Sequence, residues 1–425
     1  MLFVSPMNLF EFAYGGMKVL LNMKQSSVSL SVADQEVYSF DLEGKPLSFW
    51  VNGKTFVWTL DCRVIKKWRD DSLQKQIQEA DPNERQAILG QARSRLAELQ
   101  TASHSGNLLF VRSDGSLGNA SELIESWLAK FLTWDAGRCE EQKRTFASVY
   151  SPVTILPPDQ YLTLVLQVTL GCHWNRCSFC DFYRAVHFHI RSMDEFEQHI
   201  HAVKRFFGDA IHLRRSIFLG DANALILPQN RLIRVFDQIN QEFCFADSPS
   251  AAHREEPIFE GINSFLDVFA GDRKSEMDFR ELKARHLHRV YLGLETGFDP
   301  LLAFLNKPAN SAQASDLVAR LKSAGLSLGL IVLTGPGGDQ FADAHVEETA
   351  ALIRKMPLGS EDVIYLSPLH ASPDSEYAHR AKEAGIRALT PLEIEDQTKR
   401  IRETLTLAQQ PGPRLARYDI REFVY

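Results

Sequence analysis

No apolar run in this chain approaches the roughly 20 residues that span a bilayer. The longest lies around Tyr161–Leu170 and has the length of a strand. The N-terminal stretch MLFVSPMNLFEFAYGGMKVLL is apolar, but it has no basic start and Glu11 interrupts it, so it does not read as a signal peptide. A cytoplasmic protein without a membrane partner is the expectation. Positive charge is also short: 47 Lys and Arg against 54 Asp and Glu leave −7, which does not favour nucleic acid as a partner. Cysteine is scarce, with 6 in 425 residues, so a disulfide-dense secreted scaffold is excluded. Low-complexity tracts are absent. A hydrophobic share of 44% and a charged share of 24% exclude a largely disordered chain.

At about 150 residues per domain, the length calls for two or three domains. The expected divisions are an N-terminal α+β domain over 1–155, a core over 156–390 and a C-terminal helix and tail over 391–425. In the first, Leu47–Leu60 carries two apolar runs around Asn52-Gly53, a hairpin signal. A charged helical stretch is expected from about Val64. Asp81-Pro82-Asn83-Glu84 opens another helix, with Asp as cap and Pro at the first position. Leu108–Arg112 and an Asp114-Gly115 turn suggest one more strand. No chemical motif stands out in this region.

From about Tyr161 strands alternate with helices. Strands are expected at Leu162–Leu170, Ser216–Leu219, Ile262–Phe269, Arg289–Leu294, Ser327–Leu333 and Val363–Leu366. Helices fall between them, including Ser192–Phe207, Gln229–Asn240, Ser311–Ala324 and Ala342–Lys355, with Pro391–Ala408 after the last strand. Six β-α units imply an α/β class with a parallel sheet: a partial (β/α)6 TIM-like barrel, or else an open doubly wound sheet. No GxGxxG follows the first strand, which weakens the dinucleotide-binding form of the open sheet.

Parallel βα folds place their sites at the C-terminal ends of the strands. Those ends here read Gly171-Cys172, Gly220-Asp221-Ala222-Asn223, Asp267, Gly293-Leu294-Glu295-Thr296, Thr334-Gly335-Pro336-Gly337-Gly338 and Ser367-Pro368-Leu369-His370. Polar residues and glycines gather on one rim. Three cysteines, Cys172, Cys177 and Cys180, follow the first strand at C-x4-C-x2-C, a spacing that lets thiolates wrap a soft metal centre. A structural zinc site would take a fourth ligand from His173, His187 or His189. An iron–sulfur cube on three thiolates would leave one iron open, and the apolar Phe179 favours that reading. Cys62, Cys139 and Cys244 are scattered singly and read as small buried residues.

Cys172–Cys180, with Phe179 before the third cysteine and a first strand ahead of it, resembles the radical S-adenosylmethionine superfamily. Gly220-Asp221 falls where that family contacts the methionine amino group. Glu295 in GLET falls where it places a ribose-binding polar residue. The run GLETGFDPLLAFLNKP, residues 293–308, is similar to the branch of oxygen-independent coproporphyrinogen dehydrogenases and related iron–sulfur oxidoreductases. The likeness spans about residues 160–390. The family's usual spacing is C-x3-C-x2-C, and His173–Arg176 lengthens the first gap by one residue.

The resemblance implies a [4Fe–4S] cluster on Cys172, Cys177 and Cys180 whose open iron chelates S-adenosylmethionine. A low-potential electron from a flavodoxin- or ferredoxin-like donor would cleave the cofactor, and the resulting 5′-deoxyadenosyl radical would take hydrogen from an unknown substrate. Cofactor contacts are expected from Phe179 (adenine), Gly220, Asp221, Asn223, Glu295 (ribose) and Gly335. Arg184, Arg191, His187, His189, Asp267, Arg273, Tyr365 and His370 are further rim candidates, and Tyr418–Arg421 is expected to dock on the body. A methyl- or methylthio-transferase is the alternative within this chemistry. The three unclustered cysteines and a missing glycine after Asp343-Ala344-His345 speak against a second cluster and a cobalamin motif. A zinc-stabilised binding protein without catalysis, or a simple electron carrier, are readings of another class.

Overall fold

The computed structural model describes residues 8–14, 17–104, 111–112, 121–246, 257–406 and 412–425. The chain divides into two compact units. The first comprises Met1–Pro152, His201–Arg214 and Arg421–Tyr425; the second comprises Val153–Ile200 and Arg215–Ile420.

The first unit is built on a nine-stranded antiparallel sheet. Eight strands between Asn8 and Glu79 follow one another in order, and Val111–Arg112 adds to the edge at Asn8–Tyr14. Ser27–Val32 shows why such strands form: SVSLSV buries Val28, Leu30 and Val32 while the serines face away. Helices Pro82–His104 and Ser121–Leu132 supply the other half of the core. Phe40 meets Phe131 at 4.1 Å, and Phe49 meets Trp58 at 4.3 Å. The hairpin at Asn52-Gly53 joins Pro46–Val51 to Lys54–Trp58, with φ of +51° and +72° at the two turn residues. Asp81 caps the first helix by accepting from the amides of Asn83 and Glu84 at 2.8 and 2.9 Å.

One expectation here is corrected. The segment from Val64 is a hairpin, Val64–Arg69 paired with Lys75–Glu79, not a charged helix. Val64 and Ile65 are buried, and the Lys, Arg, Gln and Glu residues dress an outer strand, where charge blunts edge pairing. Of the expected strand at Leu108–Arg112, the structure describes Val111–Arg112; the Asp114-Gly115 turn lies outside the described residues.

The second unit contains seven parallel strands. They are β1 (Thr163–Gln167), β2 (Ser216–Gly220), β3 (Ile262–Phe265), β4 (Leu287–Glu295), β5 (Ser327–Thr334), β6 (Val363–Pro368) and β7 (Arg414–Arg417). Their spatial order is their chain order. Right-handed crossovers that always step the same way put every helix on one face, so the sheet curls toward a partial barrel and is not doubly wound. β3 is shorter than the sequence suggests: it stops at Phe265, and Asp267 leads a short helix, Val268–Gly271. β7 is a seventh strand that hydrophobic patterning missed, pairing Arg414–Arg417 with Val363–Leu366.

Asp159 closes the barrel interior on the side where β1 begins. Its carboxylate accepts from the hydroxyls of Tyr291 and Tyr365 at 2.6 Å each and from Arg289 at 2.7 Å. Tyr365 is therefore an interior residue and not part of the opposite rim. No helix among the described residues is long and apolar enough to cross a membrane.

Candidate active site

A cavity of ≈ 230 Å³ opens where the strands of the second unit end. Its walls are largely apolar, with Phe179, Phe265, Phe269, Leu333 and Leu369 among them. Its polar groups include the three thiols, Asp181, Asp267, Glu295, Lys307, Ser367 and His370. Tyr418 also lines it, buried and donating its hydroxyl to the Leu156 carbonyl at 2.9 Å. Asp419 beside it pairs with His370 at 3.4 Å, so the tail does dock on the rim.

The cysteine loop has little regular structure of its own, and its backbone is held from outside. Gly171 starts it at φ +72°, where a β-carbon would meet the Val186 carbonyl at 3.1 Å. The Gly171 amide donates to Asp221 at 3.0 Å. Arg184 donates to the carbonyls of Asn175 and Cys177 at 2.6 and 2.8 Å. Asn306 donates to the Arg176 carbonyl at 2.7 Å and accepts the Trp174 indole N–H at 3.1 Å through its own carbonyl. The Ser178 amide donates to Leu305 at 3.0 Å. The longer His173–Arg176 gap is thus fastened at Trp174, Asn175 and Arg176, and the added residue leaves no loose bulge.

All three thiols are unbonded and face the cavity. Burial pushes their pKa values up, to about 12 for Cys177 and about 11 for Cys180, with Cys172 raised as well. The Lys307 ammonium opposes that rise at each of the three. Lys307 Nζ sits 2.5 Å from Glu295 Oε1, and both side chains are under a tenth exposed. Burial works against this ammonium, but Glu295, Asp267 and Cys177 outweigh it and hold its pKa above the ordinary lysine value. Glu295 itself takes φ +60°, which turns the chain at the end of β4. A β-carbon on Gly293 would collide with the Glu295 carboxylate and come within 2.8 Å of Lys307 Nζ.

The three thiols do not gather as one single-ion donor set. Among the described residues, the side chains whose ligand atoms gather within 4.8 Å are Cys172, His173 and Asp267, a set that holds one of the three thiols. A single zinc needs its ligands that close. A cube puts each thiolate on its own iron and asks for a wider spread, which suits three thiols spaced around one cavity.

The other expected residues fall into two groups. Phe179 and Glu295 line the cavity. Asn223 stands just behind, donating to Asp267 at 3.1 Å with His173 Nδ1 at 3.5 Å. Gly220, Asp221 and Gly335 do not line it. Asp221 is turned inward, accepting from the Gln167 side chain at 2.7 Å and from Gly171, and burial raises its pKa to about 7. The Gly220 carbonyl is taken by the Val168 amide, and the Gly335 amide donates to Gln397 at 2.7 Å. Arg184 braces the loop. Arg191, Arg273, His187 and His189 lie off the cavity wall, and His189 pairs with Glu195 at 3.6 Å. Lys307 and Asn306 were not singled out from sequence. Their only signal was their place at the close of the GLETGFDPLLAFLNKP run.

Residues 166–353 match the family model described as Radical SAM superfamily. No curated protein matches. Among solved structures the chain is similar to coproporphyrinogen III oxidase (HemN) from Escherichia coli, at 15% identity over 63% of this chain and 56% of that one, with a TM-score of 0.41. It is similar to methylornithine synthase (PylB) at 14% identity, covering 69% and 81%, with a TM-score of 0.38. It is also similar to the methyltransferase TsrM from Kitasatospora setae at 16% identity, covering 54% and 41%, with a TM-score of 0.37. The chain therefore spans little more than half of the oxidase, and these likenesses fix neither reaction nor substrate. Residues 166–353 thus carry a Radical SAM domain, and enzymes of that superfamily work with a [4Fe–4S] cluster and S-adenosylmethionine.

Proposed function

We propose that Cys172, Cys177 and Cys180 hold one [4Fe–4S] cluster, and that the enzyme starts a hydrogen-abstraction reaction, oxidoreductase-like in outcome, on a substrate admitted at the same rim. The observation that carries this is the facing of three free thiols and the buried Glu295–Lys307 pair across one apolar-walled cavity. When bound, the cluster supplies a low-potential electron for the reductive cleavage of S-adenosylmethionine.

The protein's own residues do the rest. Lys307 offsets the negative charge of the thiolates. Phe179 offers an apolar face for adenine, and Glu295 an acceptor for ribose hydroxyls. Asn223 fixes the Asp267 carboxylate at the edge of the site. Asp221, with Gly220 before it, anchors the start of the cysteine loop, and Gly335 shapes the turn after β5. The aromatic and aliphatic walls keep water from the reacting centre. A flavodoxin- or ferredoxin-like protein is the proposed electron donor, in the cytoplasm.

Anaerobic reconstitution with iron and sulfide, followed by S-adenosylmethionine and dithionite, tests this. The expected result is a brown protein with about four irons per chain, a spectrum that shifts with the cofactor, and release of 5′-deoxyadenosine. Colourless protein with tightly held zinc and no nucleoside would overturn it.

A further inference from the structure

The first unit holds two thiols that this chemistry does not use. Cys62 lies in the turn between Lys54–Trp58 and Val64–Arg69, and Cys139 in the first turns of helix Ala136–Val149. They are far apart in sequence but share a small buried cluster with Leu89 and Trp134. The two thiols shift each other's pKa in opposite senses, that of Cys62 down and that of Cys139 up.

Several contacts hold the surrounding backbone. Arg85 donates to the Cys62 carbonyl at 3.1 Å and pairs at 3.5 Å with Glu140, the neighbour of Cys139. Lys45 donates to the Leu60 carbonyl at 2.7 Å, and Trp134 donates its indole N–H to Glu43 at 3.1 Å. Cys62 itself takes φ +61°, a conformation that glycine or asparagine adopts with less strain. What the strained position presents to Cys139 is a thiol. Burial lowers the Lys45 pKa, but its ammonium interacts electrostatically with both sulfurs and gives a thiolate there a counter-charge.

The geometry points to a reversible disulfide between Cys62 and Cys139, formed by a peroxide small enough to reach the buried pair. The Cys62 thiolate attacks one oxygen of hydrogen peroxide; the O–O bond breaks, hydroxide leaves and a sulfenic acid remains. The Cys139 sulfur then attacks the Cys62 sulfur, the S–S bond forms, and the sulfenic hydroxyl departs as water with the Cys139 proton. Two thiols lose two electrons and two protons, and one peroxide becomes two waters. A dithiol reductant reverses the step. The bridge ties the turn to helix Ala136–Val149 and encloses Pro82–His104 within its loop. It is independent of the cluster.

The test uses the full chain, anaerobically reconstituted, exposed to hydrogen peroxide, alkylated under denaturing conditions and mapped as non-reduced peptides. The expected product is a Cys62–Cys139 cross-linked peptide, two hydrogens lighter than its free halves, in most chains and abolished by dithiothreitol. The melting temperature of the oxidised protein should rise by several degrees over the reduced form. In Cys139→Ser, dimedone should trap Cys62 as the sulfenic acid. The proposal is overturned if Cys62 and Cys139 of the unmodified chain are still recovered as alkylated free thiols once the cavity cysteines have oxidised. Recovery of Cys62 bonded to a different cysteine overturns it equally.

Discussion

Lys307 is an ammonium placed where lysine is seldom found, with its charge turned toward Glu295 and Asp267 and away from water. Removing one member of such a pair leaves the other buried and uncompensated, which costs about 3–5 kcal/mol. Lys307→Met should lower the unfolding free energy of the metal-free protein by that order in urea titration. The double variant Lys307→Met, Glu295→Gln should recover most of the loss. A single variant as stable as the parent would show that the pair carries no such coupling. His345 makes a second case. It is fully buried, accepts from or donates to Thr296 at 2.8 Å through Nδ1, and bonds the Leu333 carbonyl at 2.9 Å through Nε2. Burial lowers its pKa from 6.5 to about 4. Above pH 6.5 both folded and unfolded chains carry it neutral, and its contribution is complete. As the pH falls from 6.5 toward 4 the unfolded chain takes up a proton that the folded chain refuses, and stability declines by on the order of 3 kcal/mol. Urea midpoints measured across that window should fall more steeply for the parent than for His345→Gln. Parallel curves would count against the assignment.

At the scale of elements, the cysteine loop is rigid because its neighbours hold it. Asn306 and Arg184 fasten the carbonyls of Asn175, Arg176 and Cys177. Asn306→Ala should leave the fold intact, at a cost of about 1 kcal/mol, while lowering the iron retained per chain after desalting. Undiminished iron would mean that the loop needs no brace. Gly293→Ala pushes a methyl group into the Glu295–Lys307 pair and should weaken the spectral response of the cluster to S-adenosylmethionine. The legibility of these elements in sequence follows from local chemistry. The Asn52-Gly53 hairpin could be read because glycine marks its turn. The turn at Ala33-Asp34 has φ of +51° and +54° without any glycine, so the strands beside it were missed. β7, with the sequence Arg-Leu-Ala-Arg, carries no apolar run because none of its residues is fully buried. The rim could be read because strand ends of a parallel sheet converge. Lys307 could not, since it reaches Glu295 only by way of an intervening helix, Asp299–Phe304.

For the whole molecule, the deciding feature is a strand order that never reverses, which gathers the loops that follow the strands of the second unit at one rim. The first unit has the opposite character: it is assembled from pieces of chain that lie far apart. Arg214 is buried with Tyr425, whose ring it faces at 6.0 Å, and Tyr150 meets the same ring at 6.1 Å. The Asp41 carboxyl, raised to about 6 by burial, has Lys45 and Arg214 as its opposing charges. A fragment ending at Pro152 lacks both Arg214 and Tyr425. It should show a broader, less cooperative thermal transition by circular dichroism than the same unit within the full chain. A sharp transition at the same temperature would show that the distant pieces add nothing.

That patchwork has a consequence for the order in which the protein is made. The meander from Asn8 to Glu79 leaves the ribosome before the second unit, yet its own unit also takes in residues 421–425, which are synthesised after that unit. All seven strands that frame the thiol loop are synthesised before then. A meander translated ahead of the second unit is therefore completed only after every strand of that unit has been made.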